Sequence, residues 1–208
     1  MVSNEIPVRK RDLEIALQRV VPHPNPKVLL EQYTIPSDLA AHILFYACYT
    51  YGDIRGKSVI DLGTGSGRLA LGAVMLGAKF VVGVDIDPES LQNALANSRR
   101  LGLEADWVIS DISSLQGRFN TVLMNPPFGT KRRHNDVRFL RVALDLGEII
   151  YSIHKATTMS FISRWLKEKN VTSESIIKTE MPIEHQFAFH RKRRYFVEVE
   201  VIRIRRTS

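Results

Sequence analysis

The chain has 208 residues, 44% of them apolar, enough to bury one core, so a single domain over 1–208 is expected. The absence of any run of about 18 apolar residues excludes a helical membrane span, and a lone cysteine, Cys48, excludes an internal disulfide or a cysteine zinc cluster within one chain. The net charge of +7 is uneven: residues 1–104 carry 11 basic and 11 acidic side chains, residues 105–208 carry 18 and 11.

Near the start, Glu5, Arg9, Lys10, Arg11 and Asp12 are followed by no leader-like apolar run, so no signal peptide is expected and the protein is expected in the cytoplasm. Leu13, Ala16, Leu17 and Val20 have helical spacing up to Pro22, and Pro22-His23-Pro24-Asn25-Pro26 is a rigid connector. Val28-Leu29-Leu30 leads into Glu31-Gln32-Tyr33. After Pro36, with Ser37 as a candidate N-cap, Leu39 to Tyr51 is expected to be a helix that stops at Gly52 and packs Cys48 as a core thiol.

From Lys57 strands and helices alternate. Strands are expected over 57–62, 80–84, 107–109, 119–124 and 148–153, with helices over 68–76, 89–101, 137–146 and 158–169. This order predicts an α/β fold with a doubly wound, mostly parallel sheet. Ile176-Ile177 and Phe196–Ile202 are expected to add a C-terminal antiparallel hairpin around a basic turn, the second strand alternating apolar and charged residues.

Gly63-Thr64-Gly65-Ser66-Gly67 joins the first strand to its helix. Its glycines permit positive φ and a close ligand, but Arg68 stands where a dinucleotide fingerprint has its third glycine, and no Lys-Ser/Thr pair marks a P-loop. Three acids close successive strands: Asp61, Asp85 and Asp111. Each could merely cap a turn. Jointly they suit a ligand with a cationic amino-acid tail for Asp61, a ribose diol for Asp85 and an adenine amine for Asp111. S-adenosylmethionine has all three groups and needs no phosphate cradle.

Asn125-Pro126-Pro127-Phe128 follows the apolar strand 119–124. Two prolines end the ladder and hold an amide and a ring at the edge of the sheet where ligands bind, although an isolated Asn-Pro-Pro is also an ordinary turn. Asn125 and the Pro126 carbonyl can hold an exocyclic amine by its N–H bonds, Pro127 stiffens the exit, and Phe128 can stack on a base. Lys131-Arg132-Arg133-His134 follow Phe128, and Arg191-Lys192-Arg193-Arg194 follow Phe187 and Phe189. Such runs are often plain solvated surface, but the mix of cations and aromatics suits nucleic acid. His134, His154 and His190 are read as surface or base-packing residues rather than ligands, and no metal site is expected.

With these motifs the chain resembles class I S-adenosylmethionine-dependent methyltransferases, whose Rossmann-like sheet has seven strands. Leu30-Glu31-Gln32-Tyr33, Met124–Thr130 and Tyr151-Ser152-Ile153-His154-Lys155 more closely resemble the methyltransferase-like-5 family, which acts on N6 of an adenosine in small-subunit ribosomal RNA. The resemblance implies that a helical segment, 1–52, covers the cofactor with Gln32, Tyr33 and Ile35 over a catalytic core of 53–208. Ile35 stands where human members have Thr. It further implies cofactor contacts at Gly63, Gly65, Ser66, Arg68, Asp85, Ile86, Asp111 and Ile112, and a small zinc-ribbon activator on the edge of strand three. Lys155 joins the basic clusters as an expected RNA contact. Methylation of a protein glutamine amide or of DNA, and a non-catalytic RNA-binding scaffold, stay open at this point.

Overall fold

A computed structural model describes residues 8–27, 30–128, 135–184 and 194–207, with the side chains of 183, 184 and 194 set aside. Seven strands form one sheet in the order β3-β2-β1-β4-β5-β7-β6. They are β1 (Ser58–Leu62), β2 (Phe80–Asp85), β3 (Asp106–Ile109), β4 (Phe119–Met124), β5 (Gly147–Lys155), β6 (Val171–Glu184) and β7 (Arg194–Arg206). The first five are parallel, β7 runs antiparallel to β5, and β6 antiparallel to β7.

Helices α1 (Lys10–Gln18), α2 (Ser37–Phe45), α3 (Arg68–Met75), α4 (Pro88–Leu101), α5 (Asn135–Leu146) and α6 (Met159–Lys167) cover the sheet. One core holds Leu13, Leu17, Leu44 and Leu71 against Val59, Leu123 and Tyr151. The other holds Leu140, Ala143, Ile162 and Leu166 against Ile60, Val122 and Ile150. The central strands are therefore buried on both faces, as their near-continuous apolar runs require.

Several local expectations shift. Ser37 is the first helical residue and does not cap; Pro36 holds the cap position with no side-chain bond. The helix expected to run through Tyr51 changes at Tyr46–Thr50 to a π-helical turn that buries Cys48. The C-terminal strands are far longer than their apolar stretches, at 14 and 13 residues, because backbone pairing continues through charged residues once the hairpin is in register. A register shift between Ser175 and Ile177 sits within it. His154 is neither on the surface nor open to a base: it is 1% exposed, bonded to the Ser152 hydroxyl at 2.6 Å, and burial pushes it down to about 3. Among the described residues no helix is long and apolar enough to cross a membrane.

Candidate active site

A cleft opens at the carboxyl ends of β1, β2 and β4, the edge where crossovers to either side leave room for a ligand. Its floor is the turn from β1 to α3. Gly63 and Thr64 both donate their N–H to the Val84 carbonyl at 2.9 Å, which locks the turn onto β2. At Gly65, φ is +55° and a Cβ would meet nothing within 4 Å, so backbone there stands open to the cleft. Gly83, behind the turn, serves packing instead: a Cβ there would lie 2.4 Å from the Trp107 ring.

Asp61, next to last in β1, is 2% exposed and accepts from the Thr64 hydroxyl at 2.7 Å and the Ala70 N–H at 3.1 Å. Burial pushes its pKa up to about 7, and the like charge of Asp85 adds to the rise. Asp85 ends β2, and the N–H groups of Gly65 and Asp87 fix its two oxygens at 2.9 and 3.0 Å. Burial raises its pKa too. A carboxylate has about four acceptor sites, so both oxygens keep capacity for a ligand. Asp111 is held differently. It caps the short turn Ile112–Ser114 through the Ser113 N–H, and the Arg138 guanidinium from α5 keeps its pKa below the usual carboxylate range. Ile86 (52% exposed) and Ile112 (5%) flank it as apolar surface.

The roof is residues 30–35. Gln32 lines the cleft, yet its amide donates to Asp87 at 2.8 Å and Ser90 at 3.0 Å, fastening this segment to the start of α4. Arg68 also lines it, but its buried guanidinium donates to the Ile35 and Val20 carbonyls, so its charge ties the N-terminal segment to α3. Ile35 is buried at 5% exposure. Ser66 is buried, with its carbonyl accepting from Asn97 at 3.0 Å.

Asn125 and Pro127 form the far wall. The Asn125 amide nitrogen donates to the Tyr33 carbonyl at 3.3 Å. A carbonyl cannot donate, so this contact fixes which end of the amide faces away from Tyr33. Among the described residues nothing donates to the buried Asn125 Oδ1. Pro126 lies between Asn125 and Pro127 in the chain, and Phe128 follows. The Phe128 ring is 8% exposed, stacked on Tyr33 (centroids 6.2 Å apart, 22° between planes), with the Lys155 ammonium 5.3 Å from its centre. Lys131, Arg132, Arg133, His134, Phe187, Phe189, His190, Arg191, Lys192 and Arg193 lie outside the described residues, and Arg194 begins β7.

The structure thus gathers all three acids, the glycine turn, residues 32–35 and Asn125 around one cleft. Sequence reasoning missed Glu31, Ser90 and Arg138, which also line it. Glu31 has φ +50°, and Arg138 reaches Asp111 from 27 positions along the chain. Neither fact has a local signal. The surroundings fit S-adenosylmethionine on their own terms: two buried carboxylates, an apolar flank at Ile86 and Ile112, and open backbone at Gly65. Asp85 and Asp61 would hold its ribose and ammonium, Ile86 and Asp111-Ile112 its adenine.

Residues 48–125 match the family model of ribosomal protein L11 methyltransferase (PrmA). That match stops at Asn125, so it covers the acids at 61, 85 and 111 and the glycine turn but nothing after the amide. Over nearly its whole length the chain is 38% identical to an uncharacterised protein of Methanocaldococcus jannaschii, covering 95% of this chain and 94% of the relative. It is 36% identical to rRNA N(6)-adenosine-methyltransferase METTL5 of Danio rerio, covering 94% and 98%. Among solved structures, a candidate RNA methyltransferase from Pyrococcus horikoshii is similar at a TM-score of 0.89 and 38% identity, covering 98% of this chain and 100% of that one.

Proposed function

Because this chain belongs to the methyltransferase-like-5 family of S-adenosylmethionine-dependent methyltransferases, we propose that it methylates N6 of an adenosine in small-subunit ribosomal RNA. The observation that carries this reading is the Asn125 carbonyl, buried beside the cofactor cleft with no donor among the described residues. A buried acceptor left unpaired is costly, on the order of 1–3 kcal/mol, and such a cost is usually kept for a function. An exocyclic amine supplies the missing donor.

Bound S-adenosylmethionine supplies a methyl group activated by its sulfonium. The chain's own residues position the nucleophile. The Asn125 and Pro126 carbonyls accept the two N–H bonds of the amine, which steers its lone pair towards the cleft without a strong base. Prolines at 126 and 127 preorganise both acceptors. A base stacking on Phe128 would take the place of the Lys155 ammonium, and the half-buried Lys155 side chain can then turn to a phosphate. The adenosine must be unpaired or flipped out, at a cost of roughly a few kcal/mol. The basic clusters at 131–133 and 191–194 hold the strand around it.

Residues 1–52 act as the cofactor cover over a core of 53–208, a division supported by the position of residues 30–35 over the cleft. A zinc-ribbon activator adds to the outer edge of β3, and the protein acts in the cytoplasm, where small subunits work. Asn125→Ala is expected to bind S-adenosylmethionine as the parent does and to transfer no methyl group to RNA. The check is calorimetry beside incorporation of labelled methyl, with the product nucleoside identified after digestion. Turnover at the parent rate would remove Asn125 from the mechanism.

A further inference from the structure

Tyr33 touches three parts of the molecule that the sequence keeps far apart. Its carbonyl accepts from the Asn125 amide, its ring stacks on Phe128, and its hydroxyl lies near that of Tyr195 on β7. Residues 31–36 have no regular structure, and Glu31 sits at φ +50°, a left-handed conformation that a Glu side chain disfavours. The Tyr33 N–H closes back onto the Glu31 carbonyl at 2.9 Å. A segment bent in this way keeps its shape through outside contacts. Those made by Gln32 and Ile35 lead to α4 and α3. The connection to the Asn125 loop is made by Tyr33.

That connection governs chemistry. An asparagine amide turns about a broad two-fold torsion, and its two ends differ only in which one donates. With the Tyr33 carbonyl in place, Nδ2 is engaged and Oδ1 is the end left for an incoming amine. If the carbonyl drifts, the amide can present N–H to N–H and the acceptor is lost. We infer that Tyr33 is a positioning residue for methyl transfer: its ring and hydroxyl, held by Phe128 and Tyr195, set the backbone carbonyl that orients Asn125. This inference rests on the methyl-transfer reading and gives Tyr33 a part distinct from covering the cofactor. Burial agrees with a hydroxyl kept as a donor, since it pushes the Tyr33 pKa up to about 12.

The test uses Tyr33→Phe, Tyr195→Phe and the double variant, which keep all rings and remove only hydroxyls. Single-turnover methyl transfer to RNA is measured together with the Kd for S-adenosylmethionine and the KM for RNA. Each single variant is expected to slow by roughly three- to tenfold, the weight of one hydrogen bond. Cofactor Kd and RNA KM should stay within about twofold of the parent, and the double variant should be no slower than the slower single, as for one shared interaction. An unchanged rate, a defect confined to Kd or KM, or defects that multiply in the double variant would each overturn the inference. A parent chain that transfers no methyl group to RNA adenosine would instead count against the proposed function, so the two failures are distinct.

Discussion

Asp61 carries a charge state that the fold has disturbed. It is 2% exposed, its donors are the Thr64 hydroxyl and the Ala70 N–H, and Asp85 faces it with a like charge. Burial outweighs both donors and holds the carboxyl at about 7 against an ordinary value of 3.8. The folded chain therefore keeps this proton more tightly than the unfolded chain does. The sign follows: Asp61 favours the fold fully below about pH 4, and that contribution is lost as pH rises towards about 7. Asp85, also raised by burial, acts in the same direction. Cofactor binding runs the opposite way, because only the ionised carboxylate attracts an ammonium. Affinity for S-adenosylmethionine is expected to tighten between about pH 6 and pH 8, while the cofactor-free chain loses stability over the upper part of its acid range. Asp61→Asn keeps the shape, accepts no proton, and should flatten both profiles. Calorimetry and urea midpoints across pH check this, and a variant whose binding still follows the parent's pH curve would assign the titration elsewhere.

At the scale of elements, what the sequence allowed one to read depended on how local the cause was. Phe119–Met124 is a strand with the expected bounds because a bulky apolar run ending in two prolines leaves few alternatives. The acids at 61, 85 and 111 and the glycine turn were legible because each closes or follows a strand. The roof was only partly legible. Arg68 was read as the start of its helix and, by resemblance, as a cofactor contact; its buried guanidinium goes to carbonyls 33 and 48 positions earlier, a choice made by packing α1 and α2 on α3. Phe128 was read as able to stack on a base; that Tyr33 and Lys155 lie against its ring was not legible, because both arrive through tertiary contacts. Strand β3 could have been central or marginal from its Trp-Val-Ile run. It is marginal, with Val108 39% and Ile109 61% exposed, so its outer backbone groups can pair with an added strand. Ile109→Lys places a charge on that margin. It is expected to abolish co-purification with a zinc-ribbon activator while leaving the melting temperature of the free chain unchanged. Undiminished capture by the variant would rule out this margin as the docking surface of the proposed activator.

Over the whole molecule the charge is divided unevenly between two halves of the chain. Residues 1–104 are balanced in charge and build the roof and the cleft's first two acids. Residues 105–208 hold the amide, the hairpin and the entire positive excess, 18 basic against 11 acidic side chains. A sulfonium cofactor gains nothing from a positive field, whereas a polyanion does. On the proposed reading, the positive excess of the second half would draw the RNA strand, while three carboxylates line the cofactor cleft. The two antiparallel strands continue the sheet beyond β5 and are fastened to its body by a part-buried pair: Arg203 donates to Asp53 at 2.9 Å, and Tyr151 donates to the same carboxylate at 2.7 Å. The described strands of the hairpin are thus fastened to the catalytic sheet. If RNA docks there, its affinity must be sensitive to salt in proportion to the phosphates bound, with a slope in log–log form of about −0.7 per phosphate for single strands. Charge reversal at Arg191, Lys192, Arg193 and Arg194 is expected to weaken RNA binding and flatten the slope by about 0.7 for each phosphate no longer neutralised, with cofactor affinity unchanged. Titrations of labelled RNA across salt concentrations measure both quantities. A reversed variant that kept the parent's slope would place the RNA backbone elsewhere and leave Lys131–Arg133 and Lys155 as the cations that face it.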